Sequence, residues 1–177
     1  MSMALADGDY LTVAEKVVAT LLADNGEGGL REGNNPEVKT IEPRIRREAR
    51  LYSKYELPLI GVEVKRKTEI PAPTSRLVDK VFELEFLVLC RGGDRELEIA
   101  RAQKITARLE YVLRRQNLPD QQFAGLPGLI PGSEGVLLAR LMETVFESRF
   151  LEEANARNPE VAATVSAEII LPSRAVL

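Results

Sequence analysis

Apolar and polar residues follow two periods along this chain, and the switches between them mark out its elements. Tyr10, Ala14, Val17, Val18, Leu21 and Leu22 recur at helical spacing and predict a first helix. Thr12 with Glu15 has the T-x-x-E form of a capping box, with Asp9 as the rival cap. The helix is expected to stop near Asp24-Asn25-Gly26, where a glycine can take the left-handed conformation that ends helices. A polar, Gly-rich loop follows, "NGEGGLREGNNPE", read as mobile over residues 25–36.

Val38 to Arg47 alternates loosely and reads as a strand. Ile60, Val62 and Val64 alternate with Gly61, Glu63 and Lys65, the pattern of a strand with one dry and one wet face. Residues 70–76, "IPAPTSR", read as an extended mobile loop, because Pro71, Pro73 and Ser75 oppose regular pairing. Val81 to Cys90 begins as an alternating strand and turns apolar on both faces at Phe86-Leu87-Val88-Leu89, as a central strand covered on both sides would. Ile99, Ala102, Ile105, Leu109, Val112 and Leu113 then form one helical stripe. Glu96 and Glu98 in its first turn and Arg114 and Arg115 in its last suit the helix dipole. A Pro/Gly-rich insert at 117–136 carries Phe123, Leu126, Leu129 and Ile130, apolar side chains suited to a neighbouring subunit or the protein's own sheet.

Residues 137–151 fit a helix through Leu138, Met142, Val145 and Phe146, but β-branched and aromatic residues dominate the second half, so a strand is expected. Ala163, Val165, Ala167, Ile169 and Leu171 alternate with Thr164, Ser166 and Glu168 in a closing strand. The order is helix, two or three strands, helix, two strands. Such an order predicts an α+β domain over residues 1–177, a mostly antiparallel sheet with both helices packed on it.

Composition narrows the chemistry. A net charge of −3 supplies no global drive toward nucleic acid or an acidic membrane. The chain has no histidine, which removes the commonest general base and metal ligand, and its single cysteine forbids an internal disulfide and suits a reducing compartment. No apolar run approaches the ~20 residues that span a bilayer. "MSMALADGD" lacks the basic region and apolar core of a signal peptide. A non-enzymatic cytosolic protein without cofactor, metal or small-molecule substrate is expected.

The stretch most like an active site is "VLCRGGDRELE", residues 88–98. A thiol phosphatase needs C-x5-R, whereas Cys90 and Arg95 are spaced C-x4-R with Asp94 inside the loop, a carboxylate that would repel a phosphate. The G-x-x-x-x-G-K-[ST] loop is absent. Cys90 therefore reads as core, Gly92-Gly93 as a turn and Asp94 as the cap of the next helix. Glu83 and Glu85 project from one strand face about 7 Å apart and could hold a metal, but read as a solvated or interface surface, like Glu152/Glu153. Ser133 in "PGSEG" makes no nucleophile elbow.

The basic run "RIRREARLYSKY" is more distinctive. Arg44, Arg46, Arg47, Arg50 and Lys54 with Tyr52 and Tyr55 could grip phosphates and stack on bases, and Lys65, Arg66 and Lys67 add a second cluster. Arg46, Arg50 and Lys54 also fit one solvated helical face. Both clusters read better as a surface that meets carboxylates of another protein, with nucleic acid as the alternative ligand.

"YELPLIGVEVKRKTE", "DKVFELEFLVLC" and "DRELEIARAQKITARLEYVLRR", in that order, resemble the tail terminator (tail completion) proteins of long-tailed bacteriophages. The likeness rests on element order and a Leu-Pro step into a strand, and the segments at 25–36 and 117–136 depart from the pattern. It implies a non-enzymatic ring, usually of six subunits, that stops tail-tube polymerisation and joins the tube to the head-side connector. It implies too a place in the virion tail or neck after assembly in the host cytoplasm. The rival readings are another head–tail neck protein and a small nucleic-acid-binding module using residues 44–55.

Overall fold

The structure is a computed structural model that describes residues 9–34, 36–46, 52–53, 55–71, 78–115, 138–149 and 160–173. Its elements are α1 (Asp9–Leu22), β1 (Thr40–Glu42), β2 (Leu59–Pro71), β3 (Val78–Arg91), α2 (Arg95–Arg115), β4 (Leu138–Arg149) and β5 (Glu160–Ser173). The strands form one sheet in the order β1-β2-β3-β5-β4, antiparallel throughout except that β1 runs parallel to β2. The α+β architecture is the expected one.

Strand register decides where the core lies. Phe82, Leu84, Phe86, Val88 and Cys90 of β3 stand opposite Ile169, Ala167, Val165, Ala163 and Val161 of β5. Successive residues alternate faces, so these ten side chains share one. They join Val13, Ala14, Val17 and Leu21 of α1 and Ala102, Ile105, Leu109, Val112 and Leu113 of α2 in a single buried cluster. Burying each Leu, Ile or Phe contributes about 1.5–3 kcal/mol, enough to seat both helices on this face. Asp94 Oδ1 accepts the N–H groups of Glu96 at 2.9 Å and Leu97 at 3.3 Å, the expected cap of α2.

The other face is dry at one end only. There Ile45, Tyr52 and Leu57 cover Leu59, Leu87, Leu89 and Ala162. A Cβ on Gly61 would lie 2.6 Å from the Arg44 carbonyl, so the glycine is what lets residues 44–45 cross the sheet. The doubly apolar end of β3 is thus explained, with Phe86 through Cys90 all buried. For the same reason β2 begins with four consecutive buried residues, Leu59–Val62, instead of alternating from its start.

Several boundaries differ from the sequence expectation. α1 already includes Asp9, so Thr12 lies inside the helix rather than at its cap. The left-handed glycines are Gly28 and Gly33, not Gly26. The strand expected over Val38–Arg47 shrinks to Thr40–Glu42, since the chain must leave the edge to cover the sheet end. β2 continues past a register shift between Val64 and Arg66 and pairs as far as Pro71↔Val78, so Ile70 and Pro71 belong to the strand rather than a loop. Proline's missing N–H costs a strand least at its end.

The Gly-rich segment after α1 is held by an acid clamp. Asp24 accepts hydrogen bonds from the Leu30 N–H at 2.9 Å and from Arg108 Nε and Nη2 at 2.9 and 2.6 Å. Leu30 is thereby delivered to the core. Arg31 secures the far side by donating to the carbonyls of Val38 and Lys39. Burial alone would raise the Asp24 pKa, but the bonds from Arg108 and Leu30 and the charges of Arg108 and Arg115 outweigh it and lower the value. The clamp's contribution is therefore full above the ordinary carboxylate range near pH ~4 and vanishes as pH falls through the depressed folded value. Asp24→Asn should destabilise the protein by about 2 kcal/mol at neutral pH, and the gap from wild type should close under acid. Urea titrations across pH check both; a gap that widens as pH falls would contradict the clamp.

Candidate functional site

Cys90 closes β3 with no solvent exposure, packed among the core residues beneath α2. Burial, reinforced by the Glu98 charge and opposed by Arg101, pushes the thiol up to about 12, so it stays protonated at any physiological pH. A Cβ on the neighbouring Gly92 would meet the Glu98 carboxylate, which would have to move aside. That carboxylate is itself buried and bound by Arg101 at 3.1 Å. The stretch is a strand-to-helix turn around an inert cysteine. Cys90→Ala should cost about 1–2 kcal/mol and leave any assembly unchanged. A maleimide reagent should label native protein only on the timescale of unfolding; rapid labelling would count against this placement.

The described part of the basic run is held by contacts within the chain. Arg46 does not sit on a helix, since residues 43–46 are bend and coil. Its Nε and Nη2 grip the two oxygens of Glu42 at 3.0 Å each, and Nη2 also reaches Glu56 at 2.9 Å. The guanidinium lies 4.7 Å from the Tyr52 ring centroid. The Arg46 N–H donates to the Tyr52 hydroxyl at 2.8 Å, and the Tyr52 side chain is buried. Glu56 is held below its usual range by the Ser53 N–H and then by Arg46. Arg46 and Tyr52 thus build the cover over the dry sheet end, which leaves neither as expected for a partner's carboxylates or a stacked base. Arg44 leans on Glu42 at 3.0 Å while remaining largely exposed. Arg47, Arg50 and Lys54 lie outside the described residues. Arg46→Ala should lower stability by about 1–2 kcal/mol with no partner present. Thermal melts of the isolated protein check this; an unchanged melting point would show the network to be idle.

The second basic cluster is also engaged. Lys65 bridges Glu63 at 2.7 Å and Glu85 at 3.2 Å, and Lys67 pairs with Glu69 at 3.0 Å. Arg66 meets Glu83 only at 3.7 Å, with two thirds of its side chain exposed. Glu83 and Glu85 therefore face cations, and among the described residues no group of three or more acidic, histidine or cysteine side chains could hold a metal. Arg140 pairs with Glu168 on the same open face. A hollow of about 270 Å³ between residues 28–32 and α2 is floored by Ile105. Two of its wall residues, Arg108 and Glu37, are committed to ion pairs.

The strand expected within residues 137–151 is present as β4, and what the sequence did not foresee is its place at the sheet edge. Among the described residues this strand has a neighbour on one side only, and Met142, Val145 and Phe146 are exposed on it. The signal was present, since these are the residues whose spacing also fits a helix, but nothing in a single sequence says which apolar side chains stay uncovered. Phe123, Leu126, Leu129 and Ile130, the apolar residues of the insert, lie outside the described residues, as do Ser133, Glu152 and Glu153. What the described surface offers is an open sheet with one polar face, a ladder of ion pairs and apolar side chains on an edge strand.

No protein-family model matches the chain, and no curated protein matches its sequence. Among solved structures, a chain from the virion of a native gene transfer agent (GTA) particle is similar over 93% of this chain and 92% of its own. That likeness has a TM-score of 0.47 at 11% identity, a level at which no function carries across.

Proposed function

We propose that this chain is a non-enzymatic virion structural protein of the tail-terminator kind. Copies of it would close into a ring that caps the tail tube and meets the head-side connector. One observation carries the reading: the order α1, β1–β3, α2, β4–β5, with a Leu-Pro step into β2, is the order on which the resemblance to tail terminators rests. The mechanism is geometric. A ring built from one repeated, head-to-tail interface satisfies every subunit, and a ring that offers no copy of the growing tube surface ends polymerisation. An edge strand with exposed Met142, Val145 and Phe146 suits such self-association better than a solitary life in water.

The nucleic-acid alternative loses support from the same geometry, since Arg46 and Tyr52 are spent on the cover of the sheet. Native mass spectrometry and electron microscopy of the purified protein should find one closed annular species, six copies being the expected number. A monomer at the highest soluble concentration would overturn the ring. If that monomer also bound mixed-sequence DNA with a log affinity falling by about 0.9 per phosphate contact against log salt, the nucleic-acid module would take its place.

A further inference from the structure

Among the described residues the sheet has two open edges, and they are compatible with each other. β1 covers β2 only at Leu59–Gly61, so from Val62 to Pro71 the outer side of β2 has no strand neighbour among the described residues. β4 pairs with β5 on one side along Leu138–Arg149 and has no strand on the other among the described residues. β2 is antiparallel to β3, β3 to β5 and β5 to β4, so β2 and β4 point in opposite directions. A second copy placed beside the first by rotation about an axis along the strands would therefore present its β2 to β4 as an antiparallel neighbour, the orientation the rest of the sheet uses.

We propose that β4 of each copy adds to the outer edge of β2 in the next, so that the ring is held by one sheet running continuously through all subunits. This rests on the ring reading above. Strand addition gives a ladder partner to backbone groups that each edge otherwise leaves to water. The side chains agree with it. β4 offers exposed Met142, Val145 and Phe146, and β2 offers exposed Ile70 and half-buried Val64. The charges agree as well. Glu143 on β4 is exposed and makes no ion pair among the described residues, while Arg66 on β2 is exposed and only loosely held by Glu83. The pairing is heterologous, and a heterologous interface can close a ring. β4 against β4 would make a two-fold dimer and leave both β2 edges open.

Because Cys90 is buried, introduced exposed cysteines report alone. Arg66→Cys/Glu143→Cys, treated with a short bis-maleimide, should give a ladder of cross-linked species ending at the copy number of the ring, and neither single variant should. Dimers from Glu143→Cys alone would overturn the proposal in favour of β4 against β4. An intact ring by native mass without any ladder would overturn this edge pairing and leave the ring standing. A monomer by native mass would overturn both. As a check that spares the backbone, Arg66→Glu should weaken association about fivefold, and adding Glu143→Lys should restore it. Absence of rescue would remove the Arg66–Glu143 contact from the interface.

Discussion

The fourteen-residue ladder between β3 and β5 is the constraint on which the rest of the fold depends. Side chains alternate faces along a strand, so its register assigns every residue of the two central strands to a dry side or a wet one. In the observed register Phe82, Leu84, Phe86 and Val88 enter the helix-covered core, and Glu83 and Glu85 stay on the open face with Thr164, Ser166 and Glu168 beside them. A slip of β3 by one residue would exchange the two sets. Burying those carboxylates without partners costs several kcal/mol each, far more than any strand propensity could return. The helices then have one face to sit on, and the chain has one sheet end left to cover.

That second cover explains the arrangement of charge. Ile45, Tyr52 and Leu57 lie over the end of the open face, and the Arg46 network holds this cover closed. At the same end Arg91 and Glu160 stand directly opposite each other in the β3–β5 ladder and form an ion pair, with Glu160 almost wholly buried. A buried pair of this kind gains little over apolar packing, but removal of either member strands the other charge. Beyond the cover, the face returns to water and carries exposed pairs such as Lys65–Glu63 and Arg140–Glu168, each worth little by itself. Local density of positive charge along the sequence was thus a poor guide to free positive charge. The cations of residues 44–46 and 65–67 meet acids that lie two to about twenty positions away, brought within reach by a turn or by strand pairing.

What the sequence made legible follows from the same physics. The stripe of α2, its Asp94 cap and the change of β3 from alternating to wholly apolar each depend on neighbours within a few residues, and each is found where expected. The strand at 138–149 was decided by β-branched and aromatic content against a helical spacing, and that local preference agrees with its pairing to β5. The shortness of β1, its parallel pairing and the extension of β2 to Pro71 depend on which segments meet across the sheet, which no local window contains. The Asp24–Arg108 clamp joins residues 84 positions apart and had no local signature at all. For the candidate site the division is sharper. Cys90 could be dismissed from its neighbours alone, whereas the commitment of Arg46 to Glu42, Glu56 and Tyr52 needed the fold.

One asymmetry links this architecture to its use. Two helices cover one face, and the cover made by Ile45, Tyr52 and Leu57 closes part of the other, so the described sheet can grow only sideways. Natural sheets commonly guard such edges with charge, bulges or short strands. β4 carries a register shift between Leu141 and Glu143 and four charged residues, yet leaves Met142, Val145 and Phe146 about half exposed. A chain selected to stay monomeric would gain from polar side chains at these positions. Burial of the three apolar ones against a second copy would add apolar area to the backbone pairing, and Glu143 would limit the partners to an edge that offers a cation. The combination of an attractive strand and a charge that rejects most partners is what an assembly of defined size requires, since apolar surface alone would aggregate without limit.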